Sequence, residues 1–138
     1  MFNNNKVYSD FQANYFKNTI SKSLKMFPAH IVLDFQIFVP STADPNPVYT
    51  VDKDIRIATD NIDQFNIVRY PYGDIQEGDL AVFIPVDLFP DPPEGHDMGD
   101  LINTEIIIKG HTFTTTRDFI RRAYINDEFM FWATVVSY

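Results

Sequence analysis

This chain of 138 residues contains no cysteine. A disulfide framework, a thiolate metal site and a cysteine nucleophile are therefore excluded. Basic residues are scarce: 11 Lys and Arg stand against 19 Asp and Glu, for a formal net charge of -8. Phosphate backbones repel such a chain, which disfavours a conventional grip on nucleic acid but not a place beside it. Glycine is thin as well, and Gly73, Gly78, Gly95, Gly99 and Gly110 are too scattered to cradle a phosphate. No run of about 18 apolar residues occurs, so the sequence predicts no membrane span. The opening "MFNNNKVYSDF" has neither the charged start nor the apolar run of a signal peptide. What the chain does have is apolar mass. Hydrophobic residues make up 45% and aromatics 15%, with 13 phenylalanines, enough for one domain with a real core.

The pattern divides the chain into an N-terminal helical arm, residues 1–28, and a β domain, residues 29–138. "SDFQANYFKNTISKSLKMFP" opens with Ser9 and places Gln12 three residues on, a capping box. Phe16, Ile20, Leu24 and Phe27 then recur at helical spacing, with Phe11 and Tyr15 alongside. Lys17, Lys22 and Lys25 fall off that stripe, and Pro28 is expected to stop the helix. Two roles fit: a helix covering the core, or an arm that docks on another chain through Phe11, Tyr15, Phe16, Ile20 and Leu24. Residues 1–8, with three successive asparagines, are expected to be mobile in isolation.

From His30 the period changes to two. "HIVLDFQIFV", "VYTVDKDIRIAT", "QFNIVRYPY", "DLAVFIP", "TEIIIKGHTFTTTRD" and "EFMFWATVVSY" read as strands or hairpins, with "STADPNP" and "GDIQEGD" as loop and turn. "DLAVFIP" has the continuous apolar character of a strand buried on both faces. Lys109-Gly110 predicts a hairpin turn in which Gly110 supplies a positive φ. "RDFIRRAYIND" fits a helical turn or an irregular crossing. Alternation places Leu33, Phe35, Ile37, Ile106, Ile108, Phe131 and Ala133 inward, or else the opposite parity, strand by strand. The expected fold is mainly β: a small barrel or sandwich of about six strands, one N-terminal α-helix and one long inter-strand loop, residues 85–103.

That loop is the most unusual segment. "IPVDLFPDPPEGHDMGD" combines four prolines and five acids with no Lys or Arg, yet includes Val86, Leu88 and Phe89. Pro85, Pro90, Pro92 and Pro93 stiffen it. The three apolar residues need a cover, either their own barrel or a neighbouring copy.

Reaction chemistry is not legible. His30, His96 and His111 fall in different elements, and a zinc site would need them to converge. The loop acids lack EF-hand spacing, and no elbow motif presents a serine. No catalytic, cofactor-binding or metal-ligating residue is assigned, and the chain reads as a non-enzyme. Arg117, Arg121 and Arg122 form the one basic cluster, suited to pairing with an acidic partner or with the acidic loop of another copy. An OB-type nucleic-acid-binding barrel is the alternative, since aromatics on a small barrel can stack bases.

Over residues 51–138 the order of parts resembles the head-closure, or stopper, proteins of the head-tail connector in long-tailed bacteriophages. "GDLAVFIP" leads into a long loop; "EIIIKGHTF", "RDFIRRAY" and "FMFWATVV" follow. The helix over 9–27 is a departure from that pattern. The resemblance implies a virion protein of the neck, present in the host cytoplasm during assembly, that forms a ring of roughly twelve, or roughly six, copies. It implies the portal or adaptor and tail proteins as partners, DNA passing without sequence-specific binding, no cofactor and no membrane. Other neck and tail components, such as completion and terminator proteins, are similar in size and composition. A loop between barrel strands projects into the channel in that family. By that likeness Asp87, Asp91, Glu94, Asp97 and Asp100 face the channel and repel phosphate, while Val86, Leu88, Phe89, Arg117, Arg121 and Arg122 meet the adjacent subunit.

Overall fold

The computed structural model describes residues 8–38 and 47–137. The expectations for residues 1–7 and for most of the "STADPNP" loop lie outside them. Helix α1 spans Asp10–Leu24, and Ser9 caps it through the reciprocal bonds the sequence predicts: the Gln12 amide donates to Ser9 Oγ, and the Ser9 amide donates to Gln12 Oε1. Seven antiparallel strands follow: β1 Phe27–Gln36, β2 Val48–Asn61, β3 Leu80–Pro85, β4 Leu101–Ile108, β5 His111–Thr115, β6 Ile120–Ile125 and β7 Glu128–Val136. They form one curled half-barrel sheet in the order β5-β4-β1-β2-β3-β7-β6. A single bridge, Thr114 to Ser137, brings the β5 edge back to the end of β7.

Several boundaries differ from expectation. The helix ends at Leu24, and Pro28 lies inside β1 opposite Arg56, so Phe27 belongs to the sheet. "QFNIVRYPY" is not a strand. Asp63 accepts the amides of Phe65 and Asn66, and the chain turns into a short 3-10 segment at Ile67–Arg69. This local carboxylate-to-backbone bonding outcompetes a ladder. "IRRAYI" is a true strand, β6, because Asn126 and Asp127 both adopt positive φ and make a two-residue hairpin into β7. The Lys109-Gly110 hairpin forms as predicted, with positive φ at both residues.

The core follows from the parity of β1. Ala29, Ile31, Leu33 and Phe35 point inward and pack with Ile55, Ile57, Val82, Ile84, Ile106 and Phe113. Leu33, Phe35, Ile106 and Ile108 join this core as expected. In β7 the opposite parity faces it: Trp132 and Val136 pack there. Val135 instead faces a second cluster with Ile62, Ala81 and Phe83, while Phe131 packs against Ala13, Ile125 and Met130. Ile37 lies just beyond β1.

Burial on both faces of β3 has a clear cause. Ile67, Tyr70, Tyr72 and Ile75, from the segment between β2 and β3, cover its outer side. Helix α1 covers β6 and β7 through Ala13 and Ile20. The long loop covers the concave side. Amides of Leu88 and Phe89 both donate to the Pro85 carbonyl, a turn that sends the two side chains back toward the sheet. Phe89 is 8% exposed and stacks edge-on against Phe119 at 5.0 Å and tilted against Trp132 at 5.4 Å.

Phe89→Ala removes this aromatic plug, and an unfolding midpoint in denaturant should report a loss of about 3–5 kcal/mol. A change within about 0.5 kcal/mol, the usual range of surface positions, would mean that the loop does not close the core.

Candidate functional site

The residues singled out in the sequence are largely consumed by the fold of their own chain. Leu88 and Phe89 belong to the core, so neither needs a second copy as cover. Val86 alone of the three stays exposed. Among the loop acids, Asp87 accepts from Lys25 Nζ at 2.8 Å and from Ser21 Oγ at 3.3 Å, tying the loop to α1. Burial pushes the Asp87 carboxyl up, but the Lys25 ammonium outweighs it and holds the group below the usual carboxylate range. Asp97 and Asp100 cap a short 3-10 turn reciprocally, and Asp100 also meets His96 Nδ1 at 3.0 Å. Asp91 and Glu94 remain exposed.

The basic cluster splits three ways. Arg121 lies over the rings of Phe129 and Trp132 at 5.2 and 5.4 Å. Arg122 donates to the Arg69 carbonyl at 2.7 Å and lies over Tyr70. Arg117 is the most buried of the three, its side chain 12% exposed. It donates to Asp74 Oδ1 at 3.0 Å, to the Val135 carbonyl at 3.1 Å and to Ser137 Oγ at 3.2 Å, and lies 3.6 Å from Asp79. All three cations find partners within their own chain, although Arg121 stays exposed. The basic patch thus becomes a set of staples.

The helix also docks differently from its stripe. Ala13 is the buried residue, because a small side chain lets the helix approach Ile125 and Met130 closely. Lys17 and Lys25, placed off the stripe by the sequence, reach Glu128 and Asp87. Ile20 and Leu24 are half-buried, whereas Phe11, Tyr15 and Phe16 are exposed.

Two surfaces emerge that no single motif announces. The first is the outer face of β5-β4-β1-β2. Residues directly opposite in an antiparallel pair share a face. His30, Val32 and Asp34 alternate with the buried residues of β1, so they point outward. Their partners are Asp54, Asp52 and Thr50 on β2, and Ile107, Glu105 and Asn103 on β4. Asp34 accepts from Thr50 Oγ1 at 2.7 Å and from Asn103 Nδ2 at 3.2 Å, and His30 Nδ1 sits 2.7 Å from Asp54. The face therefore presents Asp34, Asp52, Asp54 and Glu105 beside His30, and at its edge Arg56 donates to the Lys25 and Met26 carbonyls that follow α1. The second surface is an apolar mouth at one end of the half-barrel, about 320 Å³ in volume, lined by Phe27, Leu80, Ile108 and Phe113 with Lys109 and His111.

Among the described residues no cluster of three or more His, Cys, Asp or Glu could hold a metal ion. Comparison with protein-family models, with curated proteins and with solved structures finds no match to the chain.

Two measurements check the Arg117 staple. Arg117→Ala leaves Asp79 half-buried without its cation and should cost about 3 kcal/mol by denaturant titration. The Arg117 guanidinium hydrogen-bonds Asp74 and holds its carboxyl below the usual carboxylate range. A depressed folded pKa stabilises above the unfolded value, about 3.9, and that contribution is lost as pH falls through the folded value. The melting temperature of Asp74→Asn should therefore lie below wild type at neutral pH and converge with it at strongly acidic pH. A gap that persists unchanged into acid would contradict the pairing.

Proposed function

We propose that this protein is a structural ring component of a phage head-tail connector, whose copies surround the path of DNA between head and tail. The observation that carries the proposal is the acidic sheet face. α1 and the segment before β3 cover the outer side around β3, β6 and β7, whereas the outward residues of β1, β2 and β4 display four carboxylates. Four carboxylates against Arg56 and His30 leave this face an acidic surplus, which in a chain of net charge -8 repels phosphate and keeps passing DNA from adhering. The sequence of β3, long loop, β4-β5 hairpin, β6 and β7 is the order of parts on which the resemblance rests. Within this reading the loop is a plug for its own subunit, and Asp91, Glu94 and Asp97 are acids it offers outward.

An OB-type grip on single strands fits less well. The aromatics at the centre of the fold, Phe35, Phe89, Phe113 and Phe119, are buried and offer no stacking platform.

The test joins assembly to charge. Purified protein, or particles containing it, should present a ring with an open centre by cryo-electron microscopy. Asp52→Lys combined with Glu105→Lys should assemble normally yet slow DNA exit at low salt, because each new cation pairs with phosphate and must be released. Raising the salt should restore the rate by screening. A monomer that retains single-stranded DNA at physiological salt would overturn the proposal.

A further inference from the structure

Helix α1 carries an aromatic surface that its own chain does not use. Phe11 is 82% exposed and Tyr15 62%, and Tyr15 and Tyr8 both pack edge-on against Phe16. A cluster of exposed rings marks an interaction site. The apolar mouth is the complementary feature. Its volume, about 320 Å³, exceeds the ~150 Å³ that accepts a benzene ring. Lys109 and His111 beside it are suited to an acidic neighbour, and Asp10 directly precedes Phe11.

These two features sit at opposite ends of the molecule. The start of α1 is fixed to the β6-β7 turn, where Tyr8 and Asn126 exchange two hydrogen bonds at 2.9 and 2.8 Å. From that turn β7 runs nine residues to Val136, which pairs with Leu80 at the mouth. Such a strand spans roughly 30 Å. Phe11 therefore cannot reach the mouth of its own chain. A knob and a hole on opposite ends of one subunit make a head-to-tail contact, which closes into a ring when the rotation between copies allows.

We infer that the aromatic knob of one copy, Phe11 with Tyr15, inserts into the apolar mouth formed by Phe27, Leu80, Ile108 and Phe113 of the next copy. The inference rests on the ring reading above and supplies its intersubunit contact. Phe11 touches nothing in its own core, so its loss affects association and not folding.

Because the chain lacks cysteine, pairs can be introduced cleanly. A chain carrying Asn14→Cys, one helical turn from an intact Phe11, and His111→Cys, both at exposed positions, should give a ladder of disulfide-linked multimers on oxidation. Neither single variant should give more than dimers. Phe11→Ser should weaken self-association at least about tenfold in sedimentation, as loss of an aromatic hot spot does, with an unchanged melting temperature. If wild type and Phe11→Ser form the same multimer and no ladder appears, the knob-in-mouth contact is wrong while the ring reading stands. If wild type is monomeric both in solution and in particles, the ring reading fails and this inference with it.

Discussion

One guanidinium holds the seam where the curled sheet meets itself. Closure of β5 onto the end of β7 depends on a lone bridge between Thr114 and Ser137. One bridge is far less than a ladder. Arg117 adds bonds to Val135 on β7, to Ser137 just after it and to Asp74 in the segment before β3, while its own amide donates to Thr115 Oγ1 on β5. Two parts of the chain converge on its side chain, and a third meets its backbone amide. The rigid fork of an arginine suits this work, since its five donors lie in one plane.

The seam makes the other coverings intelligible. A half-barrel leaves its concave side open and two of its strands bare outside. The long loop fills the first gap with Leu88 and Phe89; α1 and the segment from Ile62 to Ile75 fill much of the second. Stiffness has a purpose here. Four prolines lower the entropy lost when the loop folds back, and the Asp87 links to Lys25 and Ser21 tie loop and helix into one lid. What remains uncovered is selective: a polar, acidic sheet face, an aromatic helix face and an apolar mouth.

The sequence made the strands more legible than their partners. β1 could be read because Ala29, Ile31, Leu33 and Phe35 alternate without a break, and the Lys109-Gly110 turn because glycine there has a backbone reason. The β6-β7 turn was missed because Asn126-Asp127 has no glycine, although both types tolerate positive φ better than most. Which side of the helix packs on its own sheet was hidden for an informative reason. Hydrophobic periodicity ranks Phe11 and Phe16 above Ala13, yet close helix docking favours the small residue and the lysines that find acids beyond it. Likewise "Arg117, Arg121, Arg122" looks like a patch in one dimension, but their partners Asp74, Arg69 and Phe129 come from separate places in the chain. The acidic face was half visible. Parity groups Asp34 with His30, but only the cross-strand register adds Asp52, Asp54 and Glu105.

In the proposed ring the acidic sheet face looks onto DNA. A side-chain-resolution map of the protein in its native assembly tests this most directly. In that map Asp34, Asp52, Asp54 and Glu105 of every copy should line the central opening, with Phe89 seated in its own subunit. A map in which that face points outward, or in which the protein stands as a single copy away from DNA, would contradict it.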